Sequence, residues 1–560
     1  MKYVLILIGG TGAKVGEAFI RLAMAGVPTR IDKNKILTSS GDEVQIWRVD
    51  PDRSSGAAIA LQKAVDDYRE LQINLGGMEG HFAWSEWGMK IDTRIRHLDP
   101  LQISQVDRGG ANSKTLRGIL DSHNLSGLRS SKPFLDTFYE PKELDVQIDR
   151  GFYQKPFIGA SVMAVFTHLL KDQNSPGGKE LNLNEFEGQE VRFFLCGSLH
   201  GGTGACGVPV MAQFLGEIRN EHPTWGWKIG AALMAPYTIP PQPPFRRLKP
   251  GEDATPQIVE EHFRAHGTHA AFSGLEEGEK RELVRQILLG FYADPEEMQE
   301  RAQQGLAYYQ DHASKHLNDL YLVGKPAPDL LPFWSNGGKS QRNPLHATEV
   351  VAALAAFNFF ASPNEGTHAV TSYKVGTSTE HLNATMSLAD FPRSTMQDGA
   401  SIDLERVFLS SAALYFFAKR VIPWEHEPVK WQGIGPLRQM YVKNSDRYEA
   451  EKRRFHNALD LIAAAMTALC DPAKTLGWNN QDMAQLQNYF SSTQSTIDEV
   501  KEKTRKTFWS DKARGTLMLG RSAVQVSDAE FGKWCPPENE FTPGRYLRWV
   551  WSQVYTKKSS

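Results

Sequence analysis

Gly-Gly-Thr-Gly-Ala occurs twice in this chain, at Gly9–Ala13 and at Gly201–Ala205. Each copy follows a short apolar run and precedes a helical pattern. Glycines at a strand-to-helix turn let the backbone approach an anion closely. The helix N-terminus then aims free N–H groups and the positive end of its dipole at that anion. Two such loops suit a multiply charged phosphate chain, with Thr11 and Thr203 adding uncharged hydroxyl donors. No G-x-x-x-x-G-K-[ST] motif is present, so the P-loop NTPases are not the right comparison.

The flanking elements must position these loops. Val4–Ile8 and Val191–Leu195 read as strands, and Val15, Ala18, Phe19, Leu22 and Ala23 recur at helical spacing up to Gly26. A second strand, Val44–Val49, runs into Asp50-Pro51-Asp52, with a helix over Ala57–Tyr68. Further strands are expected at Ile229–Met234 and Asp319–Val323, and an apolar helix at Ala347–Phe360. This alternation predicts an α/β fold, doubly wound around a mainly parallel sheet, with ligands at the strands' carboxyl ends. Residues of about 70–150 read as an insertion or an elaborated edge. Beyond residue 400 long helical patterns dominate: Ile402–Val421, Arg447–Leu469 and Met483–Phe508.

The composition narrows the class. At 560 residues, 41% hydrophobic and 23% charged, the chain has ample material for two or three domains. A net charge of −2 argues against broad binding to nucleic acid. Cys196, Cys206, Cys470 and Cys535 form no CxxC pair, which favours a reducing, cytoplasmic setting. The apolar run after Met1 is too short for a signal peptide, and no stretch nears the roughly 20 residues of a membrane span.

Val191–Phe214, read V-R-F-F-L-C-G-S-L-H-G-G-T-G-A-C-G-V-P-V-M-A-Q-F, resembles the signature of the tubulin/FtsZ superfamily. The glycine core Gly201-Gly202-Thr203-Gly204 and the helix start at Pro209-Val210 carry the likeness. Cys206-Gly207 shifts the last glycine, and His200 stands where another glycine is common. The resemblance covers about residues 1–60 and 150–360 and implies a tubulin/FtsZ-like, Rossmann-type GTPase domain over 1–345. A central helix at 346–362 and a helix-rich C-terminal domain over 363–560 would follow.

Mapped residue by residue, the resemblance makes Gly9, Gly10, Thr11 and Gly12 the first phosphate loop, and Gly201, Gly202, Thr203, Gly204 and Ala205 the signature loop. Asp50 and Asp52 fall where the family contacts phosphate-bound Mg2+ and ribose, with Asp50 the metal partner. Gly151 to Gly159, with Pro156 in a P-x-x-G ending, resembles the loop that senses the terminal phosphate. Glu349 would read guanine from the start of the central helix. GTP or GDP with Mg2+ is the implied cofactor, and head-to-tail self-assembly the implied partnership, with other protein partners also open. Gly324-Lys325 replaces the asparagine that many members place against the base. The acidic N-x-D-F-x-D loop is absent too, and Asp390 in Ser387–Phe391 is its nearest counterpart.

Other readings stay open on the sequence. The first loop alone also fits a nicotinamide dinucleotide fold, with Asp50 on a ribose. A GTP-binding scaffold with little turnover fits the missing acidic loop. Cys206 is either a reactive thiol at a helix N-terminus or a small packed residue, the second being favoured. His262, His266 and His269 share a helical face, read as solvated rather than as a zinc site. Arg246, Arg247 and Lys249 are read as solvated, and Trp549 and Trp551 as packed onto the core.

Overall fold

The computed structural model describes residues 2–27, 43–76, 87, 89–101, 114–122, 137–145, 147–149, 151–153, 155–172, 176–240, 255–268, 272, 275–288, 295–325, 328–332, 343–361, 369–374, 394–395, 401–402, 445–470, 475–477, 516–519 and 522–525. An eight-stranded parallel sheet organises them. Its strands are β1 (Lys2–Ile8), β2 (Glu43–Val49), β3 (Lys90–Ile91), β4 (Arg96–Leu98), β5 (Val191–Ser198), β6 (Trp227–Met234), β7 (Asp319–Gly324) and β8 (Ala369–Lys374). They lie in the order β8-β7-β6-β5-β1-β2-β3, with β4 also paired to β2. With β3 and β4 taken as one edge position, this is the order of a doubly wound, Rossmann-like sheet.

The chain winds outward from β1 to β2 and the edge, then returns to β5 on the other side of β1. The topological switch therefore lies between β1 and β5, which pair from Lys2↔Val191 to Leu7↔Cys196. Both glycine pentapeptides leave the sheet at this point.

Helices cover both faces. On one side lie α1 (Gly9–Met24), α2 (Gly56–Leu75), α6 (Ala347–Ala361) and α7 (Ser445–Cys470); on the other lie α3 (Pro156–Lys171), α4 (Gly202–Glu221) and α5 (Pro295–His312). β1 feeds both cores by alternation, Tyr3, Leu5 and Leu7 toward the first and Val4, Ile6 and Ile8 toward the second. A strand buried on both faces reads as a continuous apolar run, which is why Val4–Ile8 and Val191–Leu195 stand out in the sequence.

α1 is packed against α2, α6 and α7. Phe19 stacks on Phe357 at 4.3 Å, and the buried Glu17–Arg21 pair closes one turn with a 2.9 Å hydrogen bond. α7 matches the helix expected at Arg447–Leu469. The other two C-terminal helices, at Ile402–Val421 and Met483–Phe508, lie outside the described residues. So do Arg246, Arg247, Lys249, Trp549 and Trp551. The 70–150 stretch supplies β3 and β4, an elaborated sheet edge. No helix among the described residues is long and apolar enough to cross a membrane.

Candidate functional site

A cavity of about 170 Å3 opens at the carboxyl ends of β1 and β5. That is many times the space one water needs. Its floor is formed by the two pentapeptides, Gly9, Gly10 and Thr11 from one and Gly201 to Gly204 from the other. They touch. A Cβ built on Gly9 would lie 3.2 Å from the Cβ of Thr203 and 3.3 Å from the Gly204 nitrogen, and Gly9 has φ +72. The glycine is needed there both for its backbone angle and for the close approach.

Behind the floor, glycines bring helix and strand together. A Cβ on Gly12 would stand 2.8 Å from the Cys196 carbonyl oxygen, and one on Gly204 would stand 2.6 Å from the Ser198 nitrogen. The result is two helix N-termini side by side. Neither α1 nor α4 has a side-chain cap, and neither carries an acidic residue in its first turn. α2 differs: Ser55 accepts from the Ala58 N–H at 3.2 Å. Uncapped first-turn N–H groups facing a cavity, together with two aligned dipoles, favour an anion.

One wall is acidic but spoken for. Arg48, buried at the end of β2, donates from Nη2 to Asp50 Oδ2 at 2.9 Å and to the Asp52 carbonyl oxygen. The other Asp50 oxygen accepts from the Asp52 N–H at 3.2 Å. Asp52 Oδ1 accepts from the Ser54 N–H at 3.0 Å. Burial pushes the Asp50 carboxyl up to about 6, outweighing the pull of Arg48.

The opposite wall is a hydrogen-bonded chain. The Tyr237 hydroxyl donates to Glu349 Oε1 at 2.6 Å. Lys14 Nζ lies 3.3 Å from the same oxygen and donates to the Pro344 carbonyl at 2.8 Å. Glu349 Oε2 accepts from the His346 N–H at 2.8 Å. Both oxygens of this fully buried carboxylate are thus held by the protein. His346 Nδ1 accepts from the Thr348 N–H at 3.1 Å, which leaves Nε2–H to donate to Asp329 Oδ2 at 2.9 Å. Lys325 pairs with the other Asp329 oxygen.

The chain matches no family model, no curated protein and no solved structure. What can be read about this site therefore comes from its own residues.

Of the expected site residues, Gly9, Gly10, Thr11, Asp50, Asp52, Gly151, Gly201, Gly202, Thr203, Gly204 and Glu349 come together around the cavity. Gly12 and Ala205 lie behind it, inside α1 and α4. Pro156 opens α3, and Gly159 packs against Cys206 Sγ and the Phe152 ring. Asp390 lies outside the described residues. Cys206 is a packed residue: it is buried, its thiol donates to the Gly202 carbonyl at 3.1 Å, and burial pushes its pKa well up. His262 and His266 sit 6.1 Å apart on an exposed helix, and His269 is outside the described residues. Among the described residues no group of three or more His, Cys, Asp or Glu is placed to hold a metal.

Sequence reasoning missed Lys14, Tyr237 and His346 as lining residues, together with the asparagine Asn343 and the apolar Met298, Leu331 and Leu476. Lys14 alone carried a signal, since it follows Thr11 by three positions and so shares its helical face. Tyr153, with φ +48, also lines the cavity and is anchored through its hydroxyl to the Gln147 carbonyl.

Proposed function

We propose that the chain binds a guanine nucleoside triphosphate in this cavity, as a divergent relative of the tubulin/FtsZ superfamily. The observation that carries the reading is the contact of the two pentapeptides at the β1–β5 switch, which sets two uncapped helix N-termini under one cavity. A single pyrophosphate needs one such terminus; a triphosphate chain can use both. The phosphates would lie over Gly10–Thr11 and Gly202–Gly204. The planar base would lie toward Tyr237, Asn343, His346 and Leu476.

A magnesium ion would suit the acidic wall in one way only. Both Asp50 oxygens already accept hydrogen bonds, so phosphate oxygens and water would supply most of the coordination, with Asp50 and Asp52 as outer partners. When bound, the ion neutralises charge on the β- and γ-phosphates. The nicotinamide reading is less well supported, because the Asp50 carboxylate it would set on a ribose is already engaged.

Hydrolysis and head-to-tail assembly belong to the same proposal, with Asp390 of a neighbouring molecule orienting water. GTPase activity per molecule, measured over a range of protein concentrations, tests it. A rise with concentration supports a site completed by a neighbour, and a flat profile counts against it. A second reading, a nucleotide-gated scaffold, draws on one observation: Leu476, just beyond α7, lines the cavity and pairs with His346. Bound GTP without turnover at any concentration would favour that reading.

A further inference from the structure

His200 immediately precedes the second pentapeptide and is only 7% exposed, yet it lines the cavity. Its Nδ1 is buried and has no hydrogen-bond partner within the protein. A buried polar nitrogen left unpaired costs free energy, so it calls for a partner from outside the protein, water or ligand. Its neighbours define which partner. Gly201, Gly202 and Thr203 follow directly and open the uncapped N-terminus of α4.

Resting on the nucleotide reading above, we propose that His200 is a phosphate-positioning residue. It donates one uncharged hydrogen bond from Nδ1–H to a non-bridging phosphoryl oxygen held over α4. In the unliganded chain the imidazole is neutral, since burial and then Arg301 push its pKa down to about 4. A neutral donor adds direction without adding to the positive field of the two helix termini. The bond requires the Nδ1–H tautomer. A glycine at this position would offer only its backbone, so His200 gives this chain a phosphate contact that the more common glycine lacks.

The test is calorimetric titration of the full chain with GTP and, separately, with inorganic tripolyphosphate. Wild type is compared with His200→Leu and His200→Asn, each checked for folding by circular dichroism. The Leu variant should bind both ligands about tenfold more weakly, the loss expected for one hydrogen bond to a charged group. The Asn variant, whose amide nitrogen can stand where Nδ1 stands, should recover most of that loss. Should the Leu variant fail to fold, the comparison of wild type with Asn and with His200→Gln decides. The longer Gln amide, which carries its donor past the Nδ1 position, should weaken both ligands. A loss confined to GTP would place His200 on the nucleoside and overturn the proposal, as would no loss at all. Wild type that binds neither ligand would instead overturn the nucleotide reading itself.

Discussion

Gly9 and Thr203, 194 positions apart in the sequence, meet at the floor of the cavity: a Cβ on Gly9 would stand 3.2 Å from the Thr203 Cβ. The two pentapeptides are therefore one structure. β1 and β5 are adjacent in the sheet, so the loops that leave their carboxyl ends have to converge.

That contact makes Gly9 and Gly204 sensitive to the smallest substitution. Gly9→Ala forces a side chain into φ +72 against Thr203 and should cost about 1–2 kcal/mol. Gly204→Ala pushes a methyl against the Ser198 backbone and should cost about 1–3 kcal/mol. Urea denaturation of each variant checks both figures. An unchanged midpoint for Gly204→Ala would contradict the packing described.

Lys14 is the cation that balances the buried Glu349. Lys14→Met leaves that carboxylate with only its Tyr237 and His346 donors, at a cost of about 3 kcal/mol. Pairing it with Glu349→Gln removes the uncompensated charge, so the double variant should be more stable than the sum of the two single losses. A double-mutant cycle in urea reads this coupling directly. Strict additivity would mean that Lys14 and Glu349 do not interact.

Acid should expose His200. Its folded pKa of about 4 lies below the ordinary 6.5, so the folded chain refuses a proton that the unfolded chain accepts. Its contribution is intact above pH 6.5 and is lost as pH falls toward 4, by about 3 kcal/mol in total. Asp50, raised to about 6, works in the opposite direction between pH 4 and 6. His97, also pushed down to about 4, works with His200. Stability measured at pH 7, 6 and 5 should therefore fall less steeply in His200→Asn than in wild type. Identical slopes would refute the assignment.

Much of the fold is legible in the sequence because the central strands are buried on both faces and β1 and β5 run into glycine loops. Val191–Leu195 and Val4–Ile8 could hardly be anything else. The edge is not legible: Lys90–Ile91 and Arg96–Leu98 are too short to show a period, and their pairing with β2 is a property of the sheet. Around the cavity the glycines and Asp50 announce themselves by type and place. Tyr237, Asn343 and His346 do not. Each is an ordinary polar or aromatic residue in a loop or at an element's end; Tyr237 reaches Glu349 only through the tertiary fold, whereas His346 meets it locally from three residues upstream. Pro156 and Gly159 show the converse. Their pattern reads as a ligand loop, whereas Gly159 is small because Cys206 and Phe152 fill the space beside it.

Calorimetric titration of GTP into Thr11→Asp and Thr203→Asp asks whether both pentapeptides serve one polyphosphate site. An acidic residue in a helix's first turn favours the helix, so both variants should fold, while its charge repels phosphate. One GTP per wild-type chain is expected, with a loss of at least about a hundredfold in affinity in each variant, roughly 3 kcal/mol. GTP binding that survives either substitution would contradict a shared site.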